Sequence, residues 1–153
     1  MMQPLADLTL QFPPYDYKLK KKDGKLYIFD FIAKKYRFLS PEEWVRQHCL
    51  HFLTNEMKYP TGMIQIEGGI QTNQLTRRSD IQVFGRDGSI FMLIECKAPF
   101  VKLSEMTWHQ ISQYQKEVLA KYLVLTNGLD TQIVEIDTNN QTTKSLTHFP
   151  IYL

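Results

Sequence analysis

The run Ile90-Phe91-Met92-Leu93-Ile94 constrains this chain more than any other stretch. Consecutive apolar residues leave a strand no side for water, so the segment reads as a central strand covered on both faces. It ends abruptly in Glu95-Cys96-Lys97, and Pro99 stops it. A buried strand needs neighbours. Ser79-Asp80-Ile81-Gln82-Val83-Phe84 supplies one, joined through the turn Arg86-Asp87-Gly88-Ser89 as a hairpin. Tyr122-Leu123-Val124-Leu125 is a second buried strand, Met63–Glu67 alternates as a third, and Gln132–Ile136 is the last clear one.

Helices bracket these strands. Ser40-Pro41-Glu42-Glu43 is a strong helix start, with Ser40 as N-cap, Pro41 as first helical residue and Glu43 closing a capping box. Val45, Cys49, Phe52 and Leu53 give that helix an apolar stripe as far as about Glu56. A second helix spans roughly residues 104–121. Ahead of both, Leu26–Phe29 and Lys35–Leu39 read as a hairpin after the turn signal Asp23-Gly24. The order is a β-hairpin, then α-β-β-β-α-β-β. It implies an α/β fold, a mixed β-sheet flanked by helices. At 153 residues the chain holds one domain, with 1–39 as a basic N-terminal extension and 40–140 as the core.

Several function classes drop out. No apolar run approaches the ~20 residues that span a bilayer, and the N-terminus lacks the layout of a secretory signal. The two cysteines, Cys49 and Cys96, make no disulfide framework, and no Cys/His spacing suits zinc. A reduced, cytoplasmic compartment is expected. Net charge is only +2, but it is unevenly spread. Residues 18–37 hold eight basic side chains against Asp23 and Asp30, a local +6 that leaves −4 elsewhere. Such a segment suits a phosphate backbone, and equally a solvated hairpin with protective edge lysines.

The chemistry gathers where the central strand ends. Strand alternation points Glu95 and Lys97 one way and Cys96 the other, toward the core as a small hydrophobe. With the turn at 86–89, Phe84 or Gly85 pairs near Ile90, and Asp80 then falls close to Glu95. Two hard carboxylates suit Mg²⁺, which keeps waters for substrate and nucleophile. A lysine beside them can position the attacking water and meet developing phosphate charge. A same-face Glu/Lys pair is also often a plain surface ion pair. Charges at the end of a buried strand favour the site reading.

Asp80, then fourteen intervening residues, then Glu95-Cys96-Lys97, between a capped helix and a second helix, resembles the PD-(D/E)XK nuclease superfamily. The wording is more specific still. Leu39-Ser40-Pro41-Glu42-Glu43-Trp44-Val45-Arg46-Gln47, Arg78-Ser79-Asp80-Ile81, Ile94-Glu95-Cys96-Lys97-Ala98-Pro99 and Leu125-Thr126-Asn127-Gly128 are similar to the N-terminal nuclease domain of type I restriction enzyme R subunits, and to its small stand-alone bacterial relatives. The similarity covers roughly residues 25–140. It implies a restriction-endonuclease-like sheet with an α-β-β-β-α-β core. It also implies Mg²⁺-dependent DNA cleavage (Mn²⁺ substituting), with Asp80 and Glu95 as metal ligands and Lys97 as catalytic lysine. Ser79 stands where the motif has proline, which is not a ligand. No P-loop motif accompanies the domain, so ATP-driven translocation must come from elsewhere or be absent.

The superfamily often adds an acid from the first helix. Taking Val45 as the centre of the apolar stripe, Glu42 lies ~60° round the helix and Glu43 ~160°, at ~100° per residue. Glu42 is therefore the expected third ligand, with Glu67 as its rival; an exposed first-turn acid favoured by the helix dipole is the plainer reading of Glu42. Gln110 and Tyr114 share one helical face and resemble a Gln-x-x-x-Tyr motif that supports the site and contacts DNA; a buried tyrosine with an edge glutamine is the plainer reading. His48 and His51 lack a third metal ligand. Arg77 and Arg78 are candidates for DNA-backbone contact, and Asn127-Gly128 reads as a turn. The expected function is Mg²⁺-dependent DNA hydrolysis, with DNA and a motor or specificity subunit as partners. The alternative is a catalytically weak DNA-binding or partner-docking module of a restriction or repair complex.

Overall fold

The polypeptide forms two β-sheets joined by one long helix, with a small hairpin beside them. The computed structural model describes residues 9–66, 80–105, 108–109 and 119–153 in full, and the backbone alone of 69–72 and 75–78. A three-stranded antiparallel sheet comes first, β1 (Leu19–Lys22), β2 (Lys25–Asp30) and β3 (Lys35–Phe38), in the order β1-β2-β3. Helix α1 (Pro41–His51) follows and continues as a π-helical turn, Phe52–Glu56. Its start is set by Ser40, whose Oγ accepts from the Glu43 N–H at 3.1 Å, and by Pro41 in the first turn.

The main sheet has six strands in the order β11-β10-β9-β8-β7-β4. They are β4 (Ile64–Ile66), β7 (Ile81–Phe84), β8 (Ile90–Cys96), β9 (Tyr122–Thr126), β10 (Thr131–Asp137) and β11 (Thr142–Leu146). β5 (Gly69–Thr72) and β6 (Leu75–Arg78) pair as a separate hairpin. β8 and β9 run parallel and the other pairs antiparallel, so the sheet is mixed. A parallel pair requires a crossover, and the chain from 97 to 121 makes it. Glu105, Trp108 and His109 are helical there. The rest of the expected second helix lies outside the described residues.

β8 is central, as its composition demands. Met92 and Ile94 join α1 residues Trp44, Val45, Cys49 and Leu50 in the larger core, while Leu93 packs with Ala120, Leu123 and Trp108 in a smaller one. The β7–β8 turn closes through Gly85 N–H to Ser89 O at 2.7 Å, with Gly88 at φ +85° where a side chain would be strained.

Four strands, β1, β5, β6 and β11, carry no clear apolar pattern in the sequence. β1 and β11 are exposed strands rich in Lys, Thr and Ser, which carry little hydrophobic alternation and form by pairing with β2 and β10. The hairpin β5–β6 occupies the polar stretch after Glu67 that read as a break. The N-terminal unit is therefore a three-stranded sheet, not a two-stranded hairpin. Among the described residues, no helix is long and apolar enough to cross a membrane.

Candidate active site

The β7–β8 register builds the site. Phe84 pairs with Ile90 across the turn, a register shift at Val83/Phe84 takes up one residue, and Ile81 pairs with Ile94. Asp80, the bend residue just before β7, therefore sits opposite Glu95. Its Oδ2 accepts the Cys96 N–H at 2.7 Å, which fixes the carboxylate at the strand end. Glu95 and Lys97 flank Cys96, and Lys97 Nζ lies 3.6 Å from Glu95 Oε1. Both are half-buried, whereas Cys96 is buried. Contact with the thiol of Cys49 and then burial push the Cys96 thiol well above its usual range. It is an inert core residue.

Electrostatics at Asp80 are opposed. Burial raises its pKa; the Cys96 N–H, then Arg46 and Lys97, pull it down; Glu43 pushes it up again. Burial wins, and the carboxyl sits above its ordinary range. An acid held this way gains from a cation placed beside it.

Glu43, rather than Glu42, is the helix acid near this centre. Glu42 is exposed, while every residue from Glu43 to Leu50 is buried. An angle measured from one apolar stripe holds only for a helix with one buried face. α1 is instead covered on two sides, by the sheet and by Tyr15 and Tyr17, which pack on Trp44, His48 and His51. Glu43 also does not close the capping box: the Ser40 N–H donates to Phe38 O. Its carboxylate turns to Arg46, whose Nε donates to Oε2 at 2.8 Å and whose Nη2 pairs with Oε1, and to Gln47 Nε2 at 2.9 Å. The i, i+3, i+4 spacing of Glu43, Arg46 and Gln47 carried this signal in the sequence.

The loop behind Lys97 is braced. The Lys97 N–H donates to Thr126 O at 2.8 Å, which continues the β8–β9 ladder one residue past the strand. Buried Asn127 donates from Nδ2 to Val101 O at 2.8 Å, and its Oδ1 accepts from Leu129 N at 2.9 Å and Asp130 N at 2.7 Å. Asn127 is thus a clamp between two loops as well as a turn residue. Gly128 follows at φ +84°.

The histidines take structural places. His48 is buried and donates from Nδ1 to Trp44 O at 2.8 Å; His51 stacks on Tyr15 with ring centroids 4.1 Å apart. Burial lowers the pKa of both. Gln110, Tyr114 and Glu67 lie outside the described residues, as do the side chains of Arg77 and Arg78.

Among the described residues, no three His, Cys, Asp or Glu side chains converge as a ready metal cage. What is present is the Asp80 carboxylate, bonded to the Cys96 N–H, and the Glu95–Lys97 ion pair on either side of Cys96. Mg²⁺ is typically held by one or two carboxylates, with water and substrate phosphate completing its shell, so this donor set fits such an ion. Gln47 Oε1 adds a buried oxygen without a hydrogen-bond donor among the described residues, on the side chain that holds Glu43.

No curated protein matches the chain. A solved fragment described as an HsdR subunit of a type I restriction enzyme from Vibrio vulnificus YJ016 is similar to it at 22% identity and a TM-score of 0.38. That similarity covers 57% of this chain and only 16% of that one. Residues 41–150 match the family model of the type I restriction enzyme R protein N terminus, well over half of the chain, and the chain belongs to that family.

Proposed function

We propose that the chain is a metal-dependent deoxyribonuclease domain of the PD-(D/E)XK type, with the restriction-endonuclease-like core that the family implies. The observation that carries this reading is the β7–β8 register, which sets Asp80 opposite Glu95 with Lys97 ion-paired beside them. Asp80 and Glu95 would hold Mg²⁺ or Mn²⁺, and Glu43 replaces Glu42 as the candidate third acid. A bound divalent ion supplies positive charge to the scissile phosphate and acidifies a water molecule. Lys97 contributes a fixed ammonium that orients the water and meets charge developing on phosphorus oxygens. Glu95 holds that ammonium in place, and the Thr126 and Asn127 contacts fix the backbone beneath it. Gln110 and Tyr114 remain candidates for strand contact. In this reading DNA is the substrate and other restriction subunits are the partners, in the cytoplasm, and the family match supports it.

The test is cleavage of supercoiled, linear and single-stranded DNA with Mg²⁺ or Mn²⁺, comparing wild type with Lys97→Ala. Metal-dependent cutting that disappears in the variant is the expected result. Equal cutting by the variant refutes the assignment. Metal binding with no cutting by the wild type transfers the role to a docking module that needs its motor or specificity subunit.

A further inference from the structure

The N-terminal sheet lies wholly ahead of the residues that the family model matches. Cross-strand partners share a face. One face carries Ile28, fully buried in the main core, and Asp30, whose carboxylate takes Arg37 Nε at 2.7 Å and the Ile32 and Ala33 N–H groups; it also has exposed Leu19, Lys21, Leu26 and Lys35, and no aromatic ring. The register Lys20↔Tyr27↔Phe38, with Phe29↔Tyr36 and Lys22↔Lys25, defines the other. Lys18 joins that face opposite Phe29, to which its carbonyl is bonded at 2.9 Å. This face has four lysines (18, 20, 22 and 25) and four aromatic rings.

Among the described residues of β1–β3, no acid interrupts it. Of the two acids in the segment, Asp30 is buried on the opposite face and Asp23 sits in the β1–β2 turn at φ +52°. Lys18 and Lys20 lie 5.7 and 5.6 Å from the Phe29 and Tyr36 ring centroids. Phe38 is 54% exposed and Tyr36 40%. Edge protection accounts for lysines on β1, but it does not account for two exposed rings on the far edge strand, β3. Lysine with exposed aromatic rings is what a nucleic-acid strand with unpaired bases requires, phosphate meeting ammonium and base meeting ring. A duplex offers phosphates and groove edges but no free base face for a ring, because its bases are stacked inside.

We infer that the Lys18/Lys20/Lys22/Lys25 and Tyr36/Phe38 face of β1–β3 is a docking surface for single-stranded DNA, separate from the Asp80–Glu95 centre. The choice of DNA rests on the proposed function; the single-strand preference rests on the sheet itself.

The experiment is fluorescence anisotropy of the full chain with a labelled twelve-nucleotide oligo-dT, a duplex of equal length and an oligo-U, all in EDTA. Excluding metal removes cleavage, so failure of the nuclease reading leaves this result untouched. Oligo-dT is expected to bind about tenfold tighter than the duplex, with Phe38→Ala and Tyr36→Ala each weakening it about tenfold. Lys20→Gln/Lys22→Gln should flatten the slope of log Kd against log salt by about 1.4, at ~0.7 per single-strand phosphate. All these side chains are exposed, so the variants should keep the wild-type circular dichroism spectrum. Any of four results overturns the inference: no binding, equal or tighter binding of the duplex, tighter binding of oligo-U, or ring variants that bind like wild type while the lysine variant weakens.

Discussion

Arg46→Met asks whether the charges beneath the site form a true buried unit. Arg46 and Glu43 are 5% and 9% exposed, and the guanidinium grips both carboxylate oxygens. Methionine fills much of the volume and leaves Glu43 charged in a space closed to water. Breaking one side of such a pair costs about 3–5 kcal/mol. The Gln47 amide still donates to Glu43 Oε2, so the lower end, about 3 kcal/mol, is the better figure. With a urea slope of about 2 kcal/mol per molar, the unfolding midpoint should fall by ~1.5 M. The double variant Glu43→Gln/Arg46→Met removes both charges and should return to within about 1 kcal/mol of wild type. Arg46 also helps to keep Asp80 ionised, so the single variant should need higher pH for cleavage. A midpoint loss worth less than about 1 kcal/mol in Arg46→Met would refute the reasoning, because a guanidinium that matters so little cannot be compensating a buried acid.

The remaining expectations concern single contacts. Asp80 has a raised folded-state pKa, so its contribution to stability is present at low pH and is lost as pH rises through that value. Asp80→Asn should therefore gain on wild type in melting temperature, without metal, as the pH is raised from the ordinary carboxyl value of 3.8 toward neutrality; a gap that moves the other way contradicts the burial argument. Asn127→Ala leaves Val101 O and two N–H groups without their partner. It should cost about 2 kcal/mol by urea unfolding and slow cleavage while metal affinity holds. Ser40→Ala removes the N-cap acceptor of α1 and should cost about 1 kcal/mol in the same assay.

How much was legible depended on whether one local rule governed the residue. The Asp87-Gly88 turn and the apolar run after it set the β7–β8 pairing, and so the placement of Asp80 against Glu95. Ser40-Pro41 gave the helix start. β1, the β5–β6 hairpin and β11 escaped because their residues are polar and their strands exist through partners distant in energy from any local pattern. Glu43 escaped for a different reason. A helix covered on two sides has no single apolar stripe from which to measure an angle, and its capping-box role had already explained the residue locally. The Asn127 clamp required knowledge of the loop at Val101, which no spacing in the sequence provides.

Asp80 and Glu95 are proposed to hold a divalent cation together. Calorimetric titration of Mn²⁺ into the wild-type chain, Asp80→Asn and Glu95→Gln tests this directly. The expected result is saturable binding by the wild type and its loss in both variants at the same concentrations. Undiminished binding in either variant would contradict it.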